Sequence, residues 1–205
     1  MRDPFLITTP TIINVSGGRT SALMLRRYLD ANGGRLPAET HAVFANVGRE
    51  RPETLDFLVR CAEAWGVDLR WIERTPGGGF REVTPETASR DGEPLATLFR
   101  ERRYLSNPVT RFCTADGKIQ TARDFMRARG YDHWTSAVGL RYDEPSRVHK
   151  LRARDAGQWD VACPLYDAKV TKGHVAEFWS RQPFDLALKS WEGNCDLCFL
   201  KGRTV

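Results

Sequence analysis

The sequence predicts an α/β protein, a five-stranded parallel sheet with helices on both faces. Three observations carry that prediction. Apolar, β-branched runs of strand length alternate with segments whose apolar residues recur at helical spacing. Glycine or proline stands at most junctions between them. The first strand runs directly through a glycine pair into a helix, the arrangement that places ligands at the carboxyl ends of parallel strands.

In chain order, residues 1 to 10 carry two prolines and no periodicity and read as a lead-in. Thr11 to Val15 is the first strand; Ala22, Leu25, Tyr28 and Leu29 mark the inner face of the first helix, which Gly33 and Gly34 stop. His41 to Val47 is the second strand. Pro52 starts a helix with Leu55, Leu58, Val59 and Ala62 inward, ended by Gly66, and Cys61 within it reads as a small buried hydrophobe. Val67 to Glu73 is the third strand. From about 75 to 110 the pattern weakens: Gly77, Gly78 and Gly79 open a charged, lid-like insertion with a helix near Leu95 to Arg103, whose Arg100, Arg102 and Arg103 suit a solvated face equally well. Structure resumes at Arg111 to Thr114, followed by a helix with Ile119, Ala122 and Met126 inward and Gly130 at its end. Trp134 to Arg141 and Trp159 to Leu165 are strands four and five, and Thr171 caps a helix carrying Val175, Phe178 and Trp179. A tail from about 182 to 205 holds Cys195-Asp196-Leu197-Cys198. One domain spans residues 1–205.

The loop Ser16-Gly17-Gly18-Arg19-Thr20-Ser21 is the first candidate site. A strand entering a helix through glycines aims backbone N–H groups at one spot, with the positive end of the helix dipole behind them, and this suits phosphate. Ser16, Thr20 and Ser21 add hydroxyl donors and Arg19 adds charge, while Gly17 and Gly18 keep side chains away from the oxygens. A plain glycine turn before a helix uses the same residues.

With 205 residues, 41% hydrophobic and 28% charged, the chain has material for one core and no disorder signature. Its apolar runs are strand-sized and its N-terminus lacks a secretory pattern, so the expectation is a cytoplasmic protein with no membrane partner. A net charge of +5 suits a polyanionic partner. Five cysteines, an odd number, argue against a disulfide framework and toward metal or redox chemistry.

Taken together, these elements resemble the PP-loop superfamily of adenine nucleotide α-hydrolase-like proteins and, within it, the phosphoadenosine phosphosulfate (PAPS) reductase family. Residues 16–21 look like that family's Ser-Gly-Gly-Lys-Asp-Ser loop, with Arg19 and Thr20 as departures. Phe44 to Gly48, then Glu50, Pro52, Glu53 and Thr54, is similar to its Asn-Thr-Gly segment before a Pro-Glu-Thr helix. Arg111 to Ile119 resembles its Cys-Thr-x-x-x-Lys-Ile element, Val138-Gly139-Leu140-Arg141 with Asp143, Glu144 and Arg147 its Gly-Ile-Arg-x-Asp-Glu segment, and Pro164 to Asp167 its Pro-Leu-x-Asp segment. The resemblance implies a Rossmann-like, HUP-type fold with an adenine nucleotide across the strand ends. Its phosphates would lie on Ser16 to Ser21, and its adenosine near Phe44, Asn46 and Gly48 with Gly139 close by. Lys118, Arg141 and Arg147 would neutralise phosphate or sulfate oxygens, with Asp143 in the same catalytic segment.

Cluster-bearing reductases of the family use a cysteine pair in the element matching Arg111 to Ile119 and a Cys-x-x-Cys downstream. Here Cys113 matches, Phe112 stands where the second cysteine would be, and Cys195 and Cys198 match the downstream pair, with Cys163 a candidate fourth ligand. The resemblance thus implies a 4Fe-4S cluster held by three thiolates, beside which structural zinc and free or redox-active thiols stay open. No Glu-Cys-Gly segment of the reductase type is found. The leading expectation is an ATP-using sulfur transferase, with Mg2+, acting on a nucleic acid or nucleotide. The runner-up is a PAPS or adenylyl-sulfate reductase, and the third reading a non-catalytic nucleotide-binding subunit of a modification or defence complex. A sulfur or electron donor protein would be a partner, basic residues from His149 to Arg154 suit a nucleic-acid backbone, and a homodimer is compatible with the small size.

Overall fold

The computed structural model of the chain describes residues 3–154, 157–189 and 191–199. Its centre is a sheet in the order β4-β3-β2-β1-β5-β6. The strands are β1 (Thr11–Asn14), β2 (Thr40–Asn46), β3 (Leu69–Arg74), β4 (Phe80–Val83), β5 (Trp134–Val138) and β6 (Trp159–Ala162). All pair in parallel except β4, which runs antiparallel to β3. The alternation along each strand sorts side chains to two faces. Ile13, Ala42 and Phe44 face one core with helices α1 (Arg19–Ala31), α2 (Pro52–Trp65) and, from Lys172–Ser180, a helix capped by Thr171. Ile12, Val43 and Ile72 face a second, smaller core.

The five-strand expectation is corrected to six. The extra strand, β4, comes from the segment read as an insertion, and it adds an antiparallel edge to a parallel sheet. The rest of that segment is packed as well: α3 (Glu93–Arg102) buries Leu95 and Leu98 against Val47 and Phe112. Strand four stops at Val138, before Gly139, and strand five at Ala162, because Pro164 opens a helical turn instead.

A second correction concerns the helix after Arg111. It is a composite of α4 (Phe112–Thr114), a π-helical turn (Ala115–Gln120) and α5 (Thr121–Ala128). The wider turn rotates the inward face, so Ile119, expected inside, is 44% exposed, while Gly117 and Thr121 are buried and Ala122, Phe125 and Met126 fill the second core. Thr121 Oγ1 donates to the carbonyls of Asp116 and Gly117 at 3.1 Å, satisfying acceptors that the π turn displaces. The remaining helices are α6 (Pro145–Arg152), α7 (Pro164–Asp167) and α8, the Thr171-capped helix named above. Among the described residues no helix is long and apolar enough to cross a membrane. The predicted tail beyond Phe199 lies outside the described residues, as do the first two residues of the lead-in.

Candidate functional site

Strand order reverses at β1: the chain steps outward through β2, β3 and β4, then returns to place β5 on the other side. The crevice beyond the ends of β1 and β5 is where open α/β sheets present ligands. The glycine loop occupies it. Gly17, at φ +79°, lies so close to α2 that a Cβ would stand 2.4 Å from Thr54 Cγ2. Gly18 is the N-cap of α1, whose first amides have no partner within the helix. Ser21 Oγ accepts from Ser16 N–H at 3.0 Å and donates to Gly18 O at 3.0 Å, and it lies 3.0 Å from Ser16 Oγ. The two serines therefore brace the loop. From the β5 side, Gly139 packs so that its Cβ position is 3.2 Å from Ser21 Cα.

Arg19 turns away from this crevice. Its Nε and Nη2 donate to Asp185 at 2.6 and 2.8 Å, and it reaches the carbonyls of Leu186 and Leu188, so its charge is committed to the tail. Arg141 is the cation that faces the loop: Nη1 donates to Thr20 Oγ1 at 3.3 Å while Nε donates to Asp143 at 2.9 Å. Burial would raise the Asp143 pKa, but the Arg141 hydrogen bond and charge hold it below the usual carboxylate range. Arg147 pairs with Glu144, which also accepts from Arg141 N–H at 3.1 Å.

At the end of β2, side chains turn inward. Phe44 is fully buried, edge-on to Trp71. Asn46 donates to Glu73 Oε1 at 2.7 Å and to Ser89 O at 2.9 Å, and its Oδ1 accepts from Gly48 N–H at 3.0 Å. Gly48, at φ +79°, leaves no room for a Cβ, which would meet Ser89 Oγ at 2.6 Å. These residues shape the rim of the crevice through backbone rather than through free polar groups.

Beyond the rim, Lys118 Nζ donates to Glu50 Oε1 at 2.7 Å; the Glu50 side chain is wholly buried, and its Oε2 has no hydrogen-bond partner among the described residues. Burial pulls the Lys118 pKa down, but Glu50, with Cys195 and Cys113 nearby, carries it above the ordinary lysine value. Cys195 forms an isolated antiparallel bridge with Glu50, and burial, aided by the Glu50 charge, pushes its thiol up to about 12. Cys113 N–H donates to Ser106 Oγ at 2.9 Å beside the α3 cluster.

Among the described residues no three His, Cys, Asp or Glu side chains are gathered to hold a metal. Lys118, paired to the buried Glu50, lies within electrostatic reach of both Cys113 and Cys195. Cys163, the candidate fourth ligand, sits toward the other edge of the sheet. It is fully buried with Leu140 and Val148 at the end of β6, three strand positions from β2, and burial raises its pKa. Cys61 is buried in α2, as read.

Sequence reasoning missed three participants. Glu50 was part of a motif without a role, Glu73 was only the end of a strand, and Asn194 carried no signal. Asn194 Nδ2 donates to Ser16 O at 3.0 Å, while its carbonyl accepts from Arg51 N–H at 2.7 Å. Under this tail lies an open cleft of about 270 Å³ lined by Arg49, Glu50, Arg51, Arg90 and Asp196, among others.

No family model matches the chain. It is 26% identical over 199 residues to the "Uncharacterized nin region protein ORF290" of Escherichia phage lambda, a match covering 93% of this chain and 66% of the phage protein. Among solved structures it is similar to the U34-tRNA thiolase NcsA from Methanococcus maripaludis with its 4Fe-4S cluster, at 16% identity and a TM-score of 0.49. That superposition covers 88% of this chain and 59% of the thiolase chain. The chain thus spans roughly two-thirds or less of each protein, and the rest of both lies outside the match.

Proposed function

We propose that this chain binds an adenine nucleotide, with phosphates at Ser16 to Ser21, and transfers its adenylyl group to an acceptor oxygen that sulfur then replaces. One observation carries the reading: a braced glycine loop feeds the N-terminus of a 13-residue helix where strand order reverses, with Arg141 on its open side. The five motif elements shared with the PP-loop superfamily support the choice of nucleotide.

In this reading the substrate is ATP as its magnesium complex. An oxygen of a base in a nucleic acid or nucleotide attacks the α-phosphorus, and the bond to the departing pyrophosphate breaks. Sulfide then attacks the carbon that bears this oxygen and displaces AMP, which leaves carrying the acceptor oxygen. Adenylation is what turns a poor oxygen leaving group into a good one. Loop amides, the α1 dipole and Arg141 supply positive potential fixed in advance of the charge that develops on the phosphates. Lys118 stands beyond the rim with one donor on Glu50, and in this reading its charge adds to the positive potential near the phosphates.

Calorimetric titration with magnesium ATP and an assay of pyrophosphate release test the proposal. Wild type is expected to bind ATP and to release pyrophosphate when acceptor is present. Gly17→Ala combines the φ +79° conformation with a 2.4 Å clash. Strain of about 1–3 kcal/mol, relieved by a shift of the loop away from its phosphate-binding shape, corresponds to an affinity loss of about 5- to 150-fold. Sulfite release from a sulfonucleotide without pyrophosphate would replace this reading with the reductase. ATP binding with neither product would leave a binding subunit, and no binding would end the nucleotide assignment.

A further inference from the structure

The tail is stitched to the phosphate loop and to the start of α2 at the same place. Asn194 is the crossing point. Its backbone carbonyl accepts from Arg51 N–H at 2.7 Å and from Thr54 Oγ1 at 3.4 Å, while its side-chain amide donates to Ser16 O at 3.0 Å. The same Nδ2 is 3.0 Å from where a Cβ on Gly18 would stand, so glycine there is what admits the tail. Thr54, fully buried, closes the triangle with its methyl against Gly17. On either side the tail is fastened by Arg51 to Glu192 at 3.4 Å, by Asp196 N–H to Arg49 O at 3.0 Å and by Arg49 to Asp196 at 3.1 Å. Cys195 follows Asn194 directly and bridges Glu50.

We infer that Asn194 is a positioning residue through which phosphate in the Ser16–Ser21 loop sets the placement of residues 191–199, and with them Cys195. The inference rests on the nucleotide reading above. Its physical basis is competition for one donor. Asn194 Nδ2 is given to a neutral carbonyl that belongs to the loop itself. A phosphate oxygen arriving at the loop is a charged acceptor, and charge-assisted hydrogen bonds are roughly twice as strong as neutral ones. The amide moves to the stronger acceptor while Arg51 and Thr54 keep its backbone in place, so the tail tightens on the occupied loop. Linkage requires the reverse as well: what ATP does for the tail, the tail does for ATP.

Hydrogen exchange followed by mass spectrometry on the full-length protein, with and without magnesium ATP, tests this. In wild type, exchange across 191–199 is expected to slow by about fivefold or more on ATP addition, the low end of ordinary site-to-site coupling. In Asn194→Ala the ATP-dependent slowing disappears, and ATP affinity falls by the same factor. Asn194→Asp, nearly isosteric, replaces the donor by a charge facing phosphate and weakens ATP further; it also serves if the alanine variant folds poorly. A purely structural Asn194 would alter exchange without ATP and leave its ATP dependence intact. That result, or wild type binding ATP with no change across 191–199, overturns the inference and spares the nucleotide reading. Failure of wild type to bind ATP overturns both.

Discussion

Glu50 presents an asymmetry that stability measurements can read. One carboxylate oxygen holds Lys118, the other has no partner among the described residues, and the side chain has no exposed surface, whereas the Lys118 side chain keeps 32%. Removing the lysine leaves a buried carboxylate with nothing to neutralise it; removing the carboxylate leaves an ammonium that can still reach water. Breaking a buried pair costs about 3–5 kcal/mol, and the partial exposure of Lys118 lowers the cost from its side. Urea unfolding should therefore rank Lys118→Met well below Glu50→Gln in stability, with the glutamine variant losing about 1–3 kcal/mol. Equal losses would show that the pair is not buried as described. Lys118 stood out only through the resemblance of Arg111 to Ile119 to the Cys-Thr-x-x-x-Lys-Ile element, and its partner lies 68 positions away on another element, where no local pattern announces the pairing. Arg19 illustrates the same limit: its position in the loop suggests phosphate, and only the packing of the tail reveals Asp185 as its partner.

At the scale of elements, the alternating pattern foretold every parallel strand, because strands buried on both faces must be apolar runs. β4 escaped notice because its central residues, Arg81 and Glu82, are exposed, as edge positions usually are. Its attachment is electrostatic as well as through the ladder: Arg81 donates to the fully buried Glu73 through both Nε and Nη2, at 3.1 and 2.7 Å. Glu73 in turn accepts from Asn46 and from Ser89 N–H, so β4, the Ser89 turn and the end of β2 share one carboxylate. Arg81→Ala should accelerate amide exchange in 80–83 and around Ser89 while leaving β1 and β5 protected. Unchanged exchange at Ser89 would show that the network does not transmit. The π turn was illegible for a different reason: helical periodicity assumes 3.6 residues per turn, and one wide turn moves Ile119 outward without changing the pattern on either side.

Across the whole molecule, several weak acids are kept neutral by burial. Cys61 is pushed up to about 12, and Tyr28 and Cys163 are also raised. Each binds its proton more tightly folded than unfolded, so its contribution is intact below the ordinary thiol or phenol value and is lost as pH climbs toward the folded one. Thermal melts should show stability falling progressively above about pH 9, and Cys61→Ala should flatten that fall. A melting temperature that stays level to about pH 11 would contradict the burial of these groups.

The bond between Asn194 and Ser16 joins positions 178 residues apart. Chains fold as they are synthesised, N-terminal parts first. β1, the phosphate loop and α1 are made early, and the sheet around them is finished once β6 emerges. Among the described residues, the loop's partner farthest along the chain is Asn194. A chain that has not yet reached residue 194 lacks the Asn194 bond to the phosphate loop, so completing the sheet does not by itself complete the site.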